Sequence, residues 1–203
     1  MESVLQRSIQ SLDISVPIWD RVFTIAPLVI IGTKEGASYD LAPKHMATPL
    51  GFGNYFGFVC TPRHATYHNV MQTGEFTVSF PVPDQIVHTS LSATPRSACI
   101  TKSDAILQTL SMVQATTMDA PMIAGAYLYL ECALFKIIDG FDDYSLITGT
   151  IKAAHVDRKY LRVSDQDEAA QIKKHPLLAY LAQGRFARID ETYNFPFPKD
   201  FKK

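Results

Sequence analysis

Residues 126–138 constrain this chain more than any other segment. Tyr127, Tyr129, Glu131, Ala133 and Phe135 alternate with Leu128, Leu130, Cys132 and Leu134. In a strand, successive side chains point to opposite faces, so these two sets line two sides of one sheet. Both sets are largely apolar, which predicts a strand covered on both faces. Asp139-Gly140 reads as the turn that follows, and 144–156 as the returning strand. Gly149 inside that strand marks a bulge or a close backbone approach.

Other segments carry the same signature. Residues 22–33 read as a strand broken early by Pro27, 34–38 as a hairpin turn, and 39–45 as its return. Residues 55–60 and 76–80 read as short strands. Helices are fewer. Residues 66–73 end at Gly74, a left-handed cap. Residues 103–112 open on Ser103-Asp104. A third helix is expected from Pro176, with a stripe of Leu177, Leu178, Tyr180 and Leu181, ending at Gly184. Trp19 reads as an anchor of the core or of an interface, the core being favoured. Many antiparallel strands with inserted helices predict a mainly β architecture with α decoration, a Greek-key-like antiparallel barrel.

The length of 203 residues, without repeats, linkers or charge blocks, fits a single domain over 1–203. Nineteen basic and twenty acidic residues give a net charge of −1, too little field to attract nucleic acid. Cys60, Cys99 and Cys132 are far apart, which fits reduced thiols better than a disulfide frame. No apolar run is long enough for a membrane span and the N-terminus has no apolar signal core, so the expected location is cytoplasmic, away from a membrane. Only 19% of residues are charged while 47% are apolar, and this pattern predicts that a second copy covers part of the surface as a homodimer.

Two stretches could hold chemistry. In 40–50 a strand passes into a polar segment interrupted by Pro43 and Pro49, which read alone is a surface loop. In 60–70 a strand ends, Arg63 and His64 follow, and a helix starts with Thr66 as its expected N-cap. A helix N-terminus beside an arginine suits a phosphate; read alone it is foremost an ordinary capped helix with a solvated Arg63. No side-chain triad, phosphate-binding glycine loop or metal-ligand spacing occurs, so no catalytic side chain and no metal site are expected.

Several segments, in order, resemble one family. Ala26-Pro27-Leu28-Val29-Ile30-Ile31-Gly32-Thr33 looks like its opening strand and Ala42-Pro43 like the step after its first hairpin. Arg63-His64-Ala65-Thr66-Tyr67-His68-Asn69-Val70 looks like its "K/R-x-T-x-x-N-I" segment. Thr73-Gly74-Glu75-Phe76-Thr77-Val78-Ser79 is close to its "TGEFVVN" strand. Pro121-Met122-Ile123-Ala124-Gly125-Ala126 with Leu130-Glu131-Cys132 resembles "P-x-I-x-G-A … LEC", and Ile147-Thr148-Gly149-Thr150-Ile151 resembles "VGEV". The chain thereby resembles the flavin reductase-like proteins, which carry FMN on a split β-barrel. The likeness spans about residues 24–188, with 1–20 and 190–203 as extensions.

The resemblance implies an FMN phosphate around Arg63, His64, Ala65, Thr66 and Asn69. It implies isoalloxazine contacts from Ala42, Pro43, Lys44, His45, Met46, Ala47 and Thr48. For His45, a flavin-edge position and a solvated loop position both stand. The implied activity is that of an NAD(P)H-dependent flavin reductase, passing hydride from NADH or NADPH through FMN to a flavin or other small-molecule acceptor. It also implies a homodimer with FMN near the interface. Two positions depart from the pattern: Asp40 stands nearest to a usual Asn, and Tyr144 stands where a His is common. These departures suit a second reading, a non-catalytic FMN-binding module that relays or senses electrons.

Overall fold

The apolar segment around Leu130–Cys132 lies in the middle strand of a seven-stranded antiparallel sheet. The computed structural model describes residues 9–94, 109–163 and 165–199. In chain order the elements are β1 (Ala26–Pro27), β2 (Val29–Glu35), β3 (Ser38–Lys44), β4 (Ala47–Pro49), β5 (Tyr55–Cys60), α1 (Ala65–Thr73) and β6 (Glu75–Phe80). There follow α2 (Ile86–Leu91), β7 (Met112–Gln114), β8 (Pro121–Ile123), β9 (Leu128–Phe141), β10 (Tyr144–Val156), α3 (Glu168–Lys174), β11 (Leu177–Ala182) and β12 (Arg185–Ile189). The large sheet has the order β3-β2-β6-β9-β10-β5-β4 and curls into a half-barrel. Strands β1, β11 and β12 form a second sheet, and β7 and β8 a small ribbon. The expected mainly β architecture with helical decoration is what forms.

Apolar runs become strands with two covered faces. Val29, Ile30 and Ile31 are all fully buried, yet they serve different cores. Val29 and Ile31 join Phe56, Phe58, Phe76, Val78, Cys132 and Ile147 inside the curl. Ile30 turns the other way to meet Leu41, Leu110 and Ile123. Each such side chain contributes about 1.5–3 kcal/mol by leaving water. The rings interlock edge to face, with Phe58 and Phe76 centroids 5.2 Å apart. Gly149 is a close approach, as expected: a Cβ there would lie 2.6 Å from the Phe76 ring and 2.9 Å from Cys132 Cβ.

The structure corrects several expectations. The segment 177–182 is strand β11, not a helix, and Gly184, with φ 72°, turns the chain into β12. A short apolar run satisfies strand and helix alike, and here β1 and β12 flank it and take its backbone hydrogen bonds. The helix lies just before it: α3 is capped by Asp167, whose carboxylate accepts from the N–H groups of Ala169 and Ala170. Asp139-Gly140 is not the turn. Strand β9 continues through it to Phe141, and a two-residue turn at Asp142-Asp143 starts β10. The ladder slips between Tyr144 and Leu146, so Gly140, at φ 102°, occupies a bulge. Residues 22–25 are not strand; pairing starts only at Ala26. Trp19 is 61% exposed and not in the core. Of the helix expected at 103–112, residues 103–108 lie outside the described residues, and Met112 opens β7 instead.

Candidate functional site

Two strand ends and one helix start converge at one edge of the large sheet. Helix α1 lies on β2 and β3 and is held there by two buried hydrogen bonds. The Thr66 hydroxyl donates to Asp40 Oδ2 of β3 at 3.2 Å, and Asn69 Nδ2 donates to Thr33 Oγ1 of β2 at 3.0 Å. All four residues are nearly inaccessible. The start of α1 is thus locked beside the end of β3.

The helix begins one residue earlier than expected, and this corrects the role of Thr66. His64 takes the N-cap position with extended backbone, and its carbonyl accepts from Tyr67 N–H. Thr66 is inside the first turn, its hydroxyl directed to Asp40. The N–H groups of Ala65 and Thr66 have no carbonyl one turn back to bond within the helix.

A cavity of about 470 Å³ opens at this junction, lined by Asp40, Ala42, Pro43 and Lys44 from β3, by Arg63, His64, Ala65 and Thr66, and by Ala93 and Thr94 beyond α2. Two cationic side chains and the positive end of α1 face it together with one buried carboxylate. Lys44 also lies near the Cys60 thiol; burial pushes that thiol up, and Lys44 pulls it partly back. The Arg63 guanidinium pairs with Asp143 at the tip of the β9–β10 hairpin, at 2.5 Å.

Seven of the twelve expected contact residues meet in this cavity: Ala42, Pro43, Lys44, Arg63, His64, Ala65 and Thr66. The other five lie elsewhere. His45 and Met46 line a separate open groove of about 810 Å³ with Trp19, Asp20, Thr24, Ala26 and Tyr180 to Gln183. The His45 ring stacks on Tyr180, centroids 4.1 Å apart. Burial, and then the charge of Lys44, lowers the His45 pKa. Ala47 belongs to the core, Thr48 is exposed on β4, and Asn69 is bound to Thr33 behind the helix.

Sequence reasoning missed Ala93 and Thr94, which reach the cavity through space from a short segment without a clear period. It missed Tyr180 because β11 reads equally as a helix. Among the described residues, no three His, Cys, Asp or Glu side chains converge to hold a metal ion, and no helix is long and apolar enough to cross a membrane.

A curled antiparallel sheet with an anion-suited helix start at its edge defines a class, and comparison with known proteins identifies it. The model of the flavin reductase like domain matches residues 22–186, and the chain belongs to that family. Among solved structures it is similar to 2-nitrobenzoate 2-nitroreductase from Pseudomonas fluorescens, at 19% identity and a TM-score of 0.77, covering 96% of this chain and 99% of that one. It is similar to a protein from Shewanella frigidimarina described as a flavin reductase with split barrel domain. There the identity is 17% and the TM-score 0.73, covering 86% of this chain and 87% of that one. An FMN-binding protein from Thermus thermophilus gives 19% identity and a TM-score of 0.72, covering 94% and 99%. At these identities the likeness is one of fold, the split barrel. A search of curated protein sequences gave no match.

Proposed function

We propose that this chain binds FMN with its phosphate at the start of α1 and works as an NAD(P)H-dependent reductase. The observation that supports this most is the meeting of Arg63, Lys44 and the α1 N-terminus at one cavity, in a chain of the flavin reductase-like family. The residues present fit the group. A phosphate dianion favours a guanidinium, an ammonium and free first-turn N–H groups. The cavity volume falls within the range of about 300–1,000 Å³ of ordinary ligand pockets.

Bound FMN supplies a ring that accepts hydride from NADH or NADPH and passes it to a flavin or other small acceptor. The chain's own residues bind and orient. Arg63 and Lys44 neutralise phosphate charge. Asp40 holds Thr66, and through it the helix start, against β3. Ala42 and Pro43 form a wall of β3 without side chains that titrate. No side-chain acid or base is assigned to the hydride step. The groove with His45, Met46 and Tyr180 borders exposed Trp19, Phe23 and Ile25, and this supports a homodimer that covers it. The proposed location is the cytoplasm.

Tyr144 is half exposed beside Arg63 in place of the His common in the family, and this favours a second reading as an electron relay that takes no hydride from nicotinamide. Anaerobic addition of NADH, then NADPH, to the FMN-loaded protein separates the two. The expected result is loss of the oxidised flavin absorbance with one nicotinamide or both. A protein that stays yellow with each is a relay or sensor module, and the reductase reading fails.

A further inference from the structure

Arg63 borders two cavities at once. On one side is the cavity at the start of α1. On the other is a smaller one of about 260 Å³, lined by Asp139, Asp142, Asp143, Tyr144 and Tyr67. The three aspartates are not equivalent. Asp139 Oδ1 accepts from the hydroxyls of Ser145, at 2.6 Å, and Tyr67, at 3.2 Å. Asp143 instead accepts from the Arg63 guanidinium at 2.5 Å. Both partners are largely exposed, with side-chain accessibilities of 73% and 65%.

An exposed pair of this kind is weak and exchangeable. A phosphate at the α1 N-terminus offers the same guanidinium a doubly charged partner, aided by the helix dipole. One arginine therefore has two anions within its range, one on the ligand and one on the hairpin.

We infer that Asp143 is a competing counter-ion for Arg63: it holds the guanidinium when the pocket is empty and gives it up when a flavin phosphate binds. Asp143 thereby sets affinity for phosphorylated flavin specifically. This rests on the reading of the cavity as the FMN phosphate pocket. The turn suits the role. Asp142-Asp143 closes the longest hairpin among the described residues, and Asp142 takes φ 52°, which shapes that tight turn. The hairpin tip lies next to Arg63, although 80 residues separate the pair in sequence.

The test is titration of apo-protein with FMN and with riboflavin, which lacks the phosphate, read by flavin fluorescence. The wild type is compared with Asp143→Asn, Arg63→Ala and the double variant. Asp142→Asn controls for loss of one charge in the same turn. Asp143→Asn should tighten FMN about two- to five-fold, the range an exposed pair supplies, and leave riboflavin unchanged. In the Arg63→Ala background the gain should vanish, and Asp142→Asn should give less. Weaker FMN binding by Asp143→Asn would mean that Asp143 orients Arg63 rather than competing for it, and would overturn the inference. Equal changes for FMN and riboflavin, or a gain that persists without Arg63, would overturn it as well. A wild type that binds neither flavin would overturn the FMN reading itself, and this inference with it.

Discussion

Replacing Glu131 by alanine should lower the unfolding free energy by about 3–5 kcal/mol, for the loss of a buried charged acceptor of four hydrogen bonds together with the void left in its place. The carboxylate sits near the start of β9 with no accessible surface. Oε1 accepts from the Thr116 N–H at 2.9 Å and hydroxyl at 2.8 Å, and Oε2 from the Thr117 N–H at 2.7 Å and hydroxyl at 2.6 Å. His155 Nε2 approaches Oε1 at 3.2 Å. Truncation removes the shared acceptor of the four threonine donors and leaves a void in its place.

The same group sets an acid limit. Burial alone would raise the Glu131 pKa, but the Thr117 and Thr116 donors outweigh it and hold the carboxyl down at about 2. A depressed folded value stabilises above the unfolded pKa of 4.5 and is lost as pH falls toward 2. The expected loss over that window is roughly 3 kcal/mol. Urea unfolding at pH 7 and pH 3 measures the part already lost at pH 3, about 2 kcal/mol. Glu131→Gln should be less stable at pH 7 and flatter between the two; an unchanged slope would show that the carboxylate is not the source. The loop that Glu131 anchors also carries Asp119, which accepts from Tyr39 and pairs with Lys34 on the β2–β3 hairpin.

Gly32→Ala has the second large expected effect, about 3 kcal/mol or more. A Cβ there would lie 2.0 Å from the Pro121 carbonyl oxygen and 2.5 Å from Thr77 Oγ1. Both are fixed, since Thr77 donates to that same carbonyl. Strand β8 must then move off β2, a cost at the upper end of overpacking or beyond it, with a hydrogen bond lost as well. Gly53→Ala meets only Tyr55 at ordinary contact, 3.4 Å, and should stay within about 0.5 kcal/mol of wild type. Thermal melts of the two variants compare them; equal midpoints would contradict the packing described for Gly32.

Much of the barrel was legible because its strands obey simple rules. Residues 55–60 and 144–156 match β5 and β10, runs rich in β-branched and aromatic residues. Gly74 ends α1 as its left-handed backbone allows. What stayed hidden depends on partners. Leu177 to Ala182 becomes strand because β1 and β12 pair with it. Asp139-Gly140 has the composition of a turn, but the register of β10 makes it a bulge. In the site, Arg63 and the helix start could be read from adjacent residues. That His45 and Met46 leave the cavity while Lys44 stays could not, because only the packing of Tyr180 under His45 decides it.

Amide hydrogen exchange, with and without saturating FMN, tests most directly the claim that the α1 start and the end of β3 hold this cofactor. The account predicts slowed exchange at Ala65 and Thr66 and at Asp40, Leu41, Ala42 and Lys44, with riboflavin reproducing the β3 effect but not that at Ala65 and Thr66. Unchanged exchange at Ala65 and Thr66 under FMN saturation, with protection appearing elsewhere, would contradict it.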